Sequence, residues 1–309
     1  MLLRHLARLI GAAIFLSSLG SVRAAPPPLA VTEVAHGIYV RQGVQEDATP
    51  TNGDMIANIG FIVGADAVAV IDPGGSRTDG ERLRAAVLAT TDRPIRYVIM
   101  THAHPDHVFG AVAFAPDHPI YVGHVRMPGA LADRGEYDRR RLADILGVKR
   151  AGDFVIPTLL VERELELDLG GRVLVLTAHG AAHTDSDLSI LDRSTGTLWA
   201  ADLLFVERIP AIDGSLLGWL KVLQELKSLP ATHAIPGHGP IFVPWPAAAA
   251  DEERYFNVLL RETRAVLAKG EDIEAAIATV GQGERDKWLL FDEYNGRNVI
   301  AAFRELEWE

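Results

Sequence analysis

The chain has 309 residues, 48% of them hydrophobic and 23% charged, which excludes disordered, collagen-like and low-complexity architectures and suits one large domain or two average ones. Cysteine is absent, so disulfides, thiolate-held zinc, iron–sulfur clusters and a cysteine nucleophile are excluded, and any metal must be held by His, Asp or Glu. The formal net charge of −11 argues against a nucleic-acid groove, which needs clustered Lys and Arg.

Arg4 and Arg8 precede the apolar run Leu9–Leu19, and Val22 and Ala24 supply small residues before a cleavage point. This pattern predicts a signal peptide over residues 1–24 and a mature chain from Ala25, exported most simply to a bacterial periplasm. A retained N-terminal anchor is the alternative, although the run is short for a membrane span. Losing Arg4, Arg8 and Arg23 takes the net charge to −14. No later stretch is long and apolar enough to cross a bilayer, so no membrane insertion is expected after cleavage.

Ala25–Leu29 carries three consecutive prolines and reads as a linker without a packing role. Gly37–Gly43, Ile56–Val63 and Ala67–Ile71 read as short strands bounded by glycines, followed by a helix over Asp79–Leu88 with Leu83, Ala86 and Val87 on one face. Ile95–Met100 is a buried strand that runs into a His-rich loop, and a helix is expected from Val108 to Phe114. Strands are then predicted at Ile120–Val122, Val155–Val161, Glu164–Leu169, Arg172–Ala178, Leu188–Leu191, Thr197–Ala200 and Ala231–Ile235. Helices are predicted at Ser215–Leu226 and Ala247–Ala268. No regular βαβ alternation and no internal repeat is visible, so a single layered α/β domain over residues 25–309 is favoured over a barrel or a Rossmann fold.

The strongest chemical signal is Thr101-His102-Ala103-His104-Pro105-Asp106-His107. Three imidazoles and a carboxylate within six residues, placed directly after a buried strand, can converge on one small volume and hold a metal. A solvated polar loop is the competing reading.

The H-x-H-x-D-H pattern resembles the signature of the metallo-β-lactamase-fold hydrolases. Four further elements follow in that family's order: Asp72 in Ile71-Asp72-Pro73-Gly74, His183 in Ala182-His183-Thr184-Asp185, Asp202 after a strand, and His238 in Pro236-Gly237-His238-Gly239. The resemblance implies an αββα sandwich with a C-terminal helical extension. It also implies a binuclear site: His102, His104 and His183 for the first ion, Asp106, His107 and His238 for the second, and Asp202 as the bridging, catalytic carboxylate, with Asp106 beside it. Asp72 is expected to support the loop rather than to ligate. Two zinc ions are implied, and a hydroxide formed between them would attack an ester, thioester, lactone or amide of a small-molecule substrate. Asp202 disfavours the β-lactamase branches, which lack a carboxylate there.

Gly43–Gly60, Asp202–Gly218 and Trp288–Glu309 further resemble the exported zinc metallohydrolases of bacterial quinoprotein relay systems, close to SoxH-like proteins. That resemblance implies association with a periplasmic quinoprotein dehydrogenase or cytochrome. Two alternatives stay open: a mononuclear iron, persulfide dioxygenase-like oxidoreductase using His102, His183 and Asp202, and a non-catalytic zinc-binding partner protein. His124 and His179 could line the cleft, although satisfied positions outside it are the plainer reading. Arg126, Arg208, Phe109 and Trp219 are further candidate cleft residues.

Overall fold

Alternating apolar side chains build two sheets that share an interior and each back onto helices. The computed structural model describes residues 26–309. The expected export signal over residues 1–24 lies outside them. The first sheet contains β1 (Thr32–Ala35), β2 (Ile38–Arg41), β3 (Ile59–Val63), β4 (Val68–Ile71), β5 (Ile95–Ile99), β6 (Ile120–His124) and β7 (Leu159–Val161), in that spatial order. The second contains β8 (Glu164–Asp168), β9 (Val173–Ala178), β10 (Leu188–Asp192), β11 (Thr197–Phe205), β12 (His233–His238) and β13 (Val243–Pro244), ordered β13-β12-β11-β10-β9-β8. Strands β4 to β7 pair in parallel, as do β11 and β12.

The period of two along each strand decides which layer a side chain joins. Ile62, Ala69, Ile71, Ile99 and Val122 of the first sheet face Leu174, Leu176, Ile190, Trp199 and Ile235 of the second. Their neighbours Ile59, Phe61, Val68, Val70 and Val98 point the other way, onto Leu83, Ala86 and Val87 of α1 (Arg77–Thr90). Ser76 caps α1 by accepting a hydrogen bond from the Asp79 amide. Past β5, α2 (Pro105–Val108) starts with Pro105 in its first turn, a position where the missing amide hydrogen is not needed.

The chain from Met127 to Ala151 folds as α3 (Met127–Ala130), a π-turn over Leu131–Gly135, α4 (Glu136–Leu146) and α5 (Val148–Ala151). Leu142 and Leu146, one turn apart, anchor α4 on Phe109, Met127 and Leu131. On the outside of the second sheet lie α6 (Leu216–Lys227), α7 (Ala250–Ala268), α8 (Ile273–Thr279) and α9 (Phe291–Leu306). Trp219, Phe256 and Phe303 pack there against Leu198, Ala200 and Ala234. The result is the expected αββα sandwich. At the end of β10 away from the His-rich loop, Arg172 forms a buried pair with Asp192, 2.7 Å from Nη2 to Oδ2, and donates from Nη1 to the Val63 carbonyl at 3.0 Å, tying the sheets together.

Several expectations need correction. The predicted helix over Val108–Phe114 divides into α2 and a 3-10 turn over Ala111–Asp117. The strand expected from Val155 begins only at Leu159, and the long helix expected from Ala247 opens with a 3-10 turn before α7. The proline-rich segment does pack: Leu29 is buried, its amide donates to the Arg82 carbonyl at 3.1 Å, and its side chain joins the α1 core. Among the described residues, no helix is long and apolar enough to cross a membrane.

Candidate metal centre

All seven predicted donors come together where the strands of both sheets end. His102 and His104 sit on the loop after β5, and Asp106 and His107 sit on α2. His183 lies between β9 and β10, while Asp202 and His238 belong to β11 and β12. His102, His104, His183 and Asp202 offer donor atoms all within 4.8 Å of one another, and so do Asp106, His107 and His238. Asp202 joins the two groups. Its Oδ2 is 3.3 Å from His183 Nε2 and 3.3 Å from His238 Nε2, and its Oδ1 is 3.0 Å from His107 Nε2. Asp106 Oδ2 stands 3.4 Å from His238 Nε2 and 3.5 Å from His107 Nε2.

Each imidazole is oriented by a partner on its far side. His107 Nδ1 is 2.8 Å from Asp72 Oδ2, His104 Nε2 is 3.0 Å from Asp213 Oδ2, and His183 Nδ1 is 2.7 Å from the Ala211 carbonyl. His238 Nδ1 is 3.1 Å from the Ile56 carbonyl, and His102 Nδ1 is 3.1 Å from Thr101 Oγ1. Thr101 Oγ1 donates to Asp72 Oδ2 at 2.9 Å, so it accepts from His102 Nδ1. With the outward nitrogens carrying these protons, the inward nitrogen of each neutral ring offers its lone pair, as a metal ligand requires.

Asp72 does what its expected role demands. It sits at a positive φ of 53°, which aims its carboxylate back beneath the loop, where it accepts from the Thr101 amide at 2.8 Å as well as from His107. A second carboxylate, Asp187, fixes the His183 loop by accepting from the Thr184 amide and hydroxyl at 2.9 and 2.6 Å. Burial pushes its pKa up to about 6 despite those bonds.

The donor chemistry fits bound divalent metal. His102 Nε2 is buried without a hydrogen-bond partner, and His107 Nε2 and Asp202 Oδ1 face each other at 3.0 Å without a well-formed hydrogen bond, a costly state that a cation at their convergence would relieve. Burial, then the neighbouring His107, drives the His102 pKa well down, and burial and His104 take His183 to about 4, so both inward nitrogens are free to coordinate. At His107 burial is outweighed by Asp202, Asp106 and Asp72, which raise its pKa. Gly237 packs against the Asp202 carboxylate so closely that a Cβ there would lie 1.8 Å from Asp202 Oδ1.

A cleft of about 250 Å³ opens above the donors. Of the candidate cleft residues, Arg208 lines it. Phe109 and Trp219 are instead core residues, Trp219 with its ring 5.3 Å from that of His183. Arg126 is exposed and away from the cleft lining. His124 and His179 are also outside that lining. They are buried against each other, with His124 Nε2 donating to the His179 carbonyl at 3.2 Å and His179 Nε2 2.8 Å from Ser189 Oγ.

Sequence reasoning missed Asp213, Asp54, Tyr294 and Arg297, all in the cleft wall. Asp54 is buried at a positive φ of 64°. Burial first, then the charges of Asp106 and Asp79, raise its pKa well above the carboxylate range. The Asp54-Met55 dipeptide in its loop carries no motif that would have marked it.

The sequence pattern of the Metallo-beta-lactamase superfamily matches residues 52–238. A ribonuclease Z from Limosilactobacillus fermentum is 27% identical over 72% of this chain and 70% of its own length. The solved sec-alkylsulfatase Pisa1 from Pseudomonas sp. superposes with a TM-score of 0.68 at 17% identity, over 89% of this chain and half of that one. A metallo-beta-lactamase from Pontibacter korlensis superposes with a TM-score of 0.60 at 16% identity, over 74% of this chain and 98% of that one. With two sheets flanked by helices, a His/Asp cluster at their shared edge and a family match over more than half of its length, this chain belongs to the metallo-beta-lactamase superfamily of metal-dependent hydrolases.

Proposed function

We propose that the protein is a binuclear zinc hydrolase of small molecules, cleaving an ester-type bond in the cleft above Asp202. The observation that carries this reading is the carboxylate of Asp202, which faces both donor groups at once, Oδ2 lying 3.3 Å from His183 on one side and 3.3 Å from His238 on the other. His102, His104 and His183 would hold one ion, Asp106, His107 and His238 the other, with Asp202 shared. Nitrogen and carboxylate donors suit zinc, and a zinc pair supplies Lewis acidity and a water acidified to near neutrality. The chain's own part is positioning. Asp72, Asp213 and the Ala211 and Ile56 carbonyls hold the protons of the outward nitrogens, and Phe205 and Ile212 give the cleft apolar walls that exclude bulk water. The complete second donor group speaks against the mononuclear iron alternative, which leaves Asp106, His107 and His238 unused.

Ribonuclease and alkylsulfatase are the activities in the names of two similar proteins, and this reading takes from them only bond hydrolysis. The cleft volume and the net charge of −11 favour a small molecule over a nucleic acid. The signal-like residues 1–24 and the resemblance to quinoprotein-relay metallohydrolases support export to a periplasm and action beside a quinoprotein dehydrogenase or cytochrome.

Elemental analysis of the reconstituted protein, with turnover assays on ester, thioester, lactone and β-lactam panels, tests the central claim. About two zinc ions per chain and turnover on one panel are expected. One iron without zinc, or full zinc loading with no hydrolysis of any substrate, would overturn it. Mass spectrometry of the exported protein should find its terminus near Ala25, and an intact Met1 in a membrane fraction would refute secretion.

A further inference from the structure

The superfamily match ends at His238, yet α9, more than fifty residues later, supplies part of the cleft wall through Tyr294, Arg297 and Asn298. Tyr294 and Arg297 are three residues apart and so share a helix face. The Tyr294 ring has a guanidinium on it twice over: Arg208 Cζ is 5.5 Å from its centroid and Arg297 Cζ is 5.1 Å away. Arg208 is only 4% exposed. Its Nη1 donates to the Glu46 carbonyl at 3.1 Å and lies 3.4 Å from His238 Nδ1, and its Nη2 reaches Tyr294 Oη at 3.4 Å and Asp47 Oδ1 at 3.5 Å. Its Nε is buried with no partner.

Asp47 is the one carboxylate paired with these two guanidiniums among the described residues, and Tyr294 Oη donates to it at 2.6 Å. Arg297 is exposed and lies over the Tyr294 ring, with no salt bridge to a carboxylate among the described residues. Two guanidiniums held on one ring with one paired carboxylate make a local cationic spot in a cleft whose other walls carry Asp54, Asp106, Asp138, Asp202 and Asp213. Like charges so close repel, and an oxyanion is the ligand that relieves them, because each guanidinium presents paired N–H donors in the geometry of a carboxylate, sulfate or phosphate. From α4, Leu142 and Ile145 contribute apolar surface to the same cleft, beside Asp138 and Arg141.

Resting on the reading of this cleft as the substrate site, we propose that the substrate is an anionic amphiphile. Its oxyanion is held by Arg208 and Arg297 across the Tyr294 ring, and its hydrocarbon part lies against Leu142 and Ile145. Specificity for the charged group is therefore shared between Arg208, inside the part of the chain that carries the superfamily pattern, and Arg297 on the C-terminal helix, outside it.

Isothermal titration of the full-length, zinc-loaded protein with octyl sulfate, octyl phosphate, octanoate and uncharged 1-octanol tests this without any need for turnover. The anions should bind at least tenfold more tightly than octanol. Arg297→Gln should weaken the anions about tenfold while leaving octanol unchanged, and Arg297→Lys should restore part of the loss. The tightest of the three anions identifies the oxyanion. Equal affinity for octanol and the anions, or an Arg297→Gln protein with full zinc content and unchanged anion affinity, would overturn the proposal. Binding without hydrolysis of any panel substrate would refute the hydrolase reading and leave this one standing.

Discussion

Replacing Gly237 with alanine adds one methyl group at the tightest point of the centre. The new Cβ would stand 1.8 Å from Asp202 Oδ1 and 2.8 Å from both the Asp202 amide nitrogen and the Ala201 carbonyl carbon. Ordinary contact begins at 3.4 Å, so the carboxylate must retreat by about 1.6 Å or β11 and β12 must part. Metal–ligand distances tolerate roughly 0.2 Å, which makes the required shift several times too large for Asp202 to serve both donor groups. Since two of the three contacts are to backbone, a rotamer change of Asp202 relieves only part of the clash. We expect a loss of about 1–3 kcal/mol in stability from overpacking and a fall of about 10- to 100-fold or more in metal affinity. Gly180→Ala makes the same chemical change in open space, with nothing within 4 Å, and serves as the control. Metal content after desalting, read beside thermal melts of both variants, separates the effects. A folded Gly237→Ala protein that keeps two ions and wild-type turnover would refute the bridging role of Asp202.

Asp72→Ala should reduce metal affinity about 10- to 100-fold, because His107 Nδ1 and the Thr101 amide lose their shared acceptor; competition with a chromophoric chelator measures this, and unchanged affinity would remove Asp72 from the supporting set. Arg172→Ala should cost about 3–5 kcal/mol in chemical denaturation by stranding the buried Asp192 carboxylate, with metal stoichiometry unaffected at the far end of the sandwich; a loss under 1 kcal/mol would show that the Ser194 amide and Thr195 hydroxyl alone satisfy Asp192. Burial and the neighbouring His124 push the His179 pKa down to about 4 from 6.5, so between those values the unfolded chain binds the proton that the folded chain refuses. Stability from this group is thus complete above pH 6.5 and lost as pH falls toward 4, amounting to about 3 kcal/mol. His179→Gln should flatten that part of the stability–pH curve relative to wild type, and two parallel curves would contradict the assignment.

The donor set was readable from sequence because its chemistry is local. Four of the convergent side chains fall within His102–His107, and of the other three His183 follows β9, Asp202 lies within β11, which runs past the expected end at Ala200, and His238 ends β12. What the sequence concealed was the support, which is made by contacts across long separations. Asp213 reaches His104 from 109 positions away, and Tyr294 reaches Asp47 from 247. Neither lies in a motif or a periodic pattern. The segment Met127–Ala151 was equally opaque: α4 commits only Asp138, Leu142 and Leu146 to the interior, and a π-turn breaks its helical phase before it starts. Phe109 and Trp219 show the opposite error. Their places near ligands in the chain suggested the cleft, but large apolar rings beside a strand end were more stably buried in the layers behind it.

The donors are divided between the sheets, four following β5 in one and three arising from the other. The apolar filling between them, Ile62, Ile71 and Ile99 against Leu176, Ile190 and Trp199, therefore acts as a gauge block whose thickness sets the span across which His102 and His107 meet His183 and His238. Facing sheets stand about 10 Å apart, and a ligand sphere tolerates about 0.2 Å, so a change of a few per cent in that spacing is already chemically legible at the site. Core volume and metal preference are on this account one variable, and a methylene trimmed from Ile190 or Leu176, remote from every ligand, retunes the centre by resizing its frame.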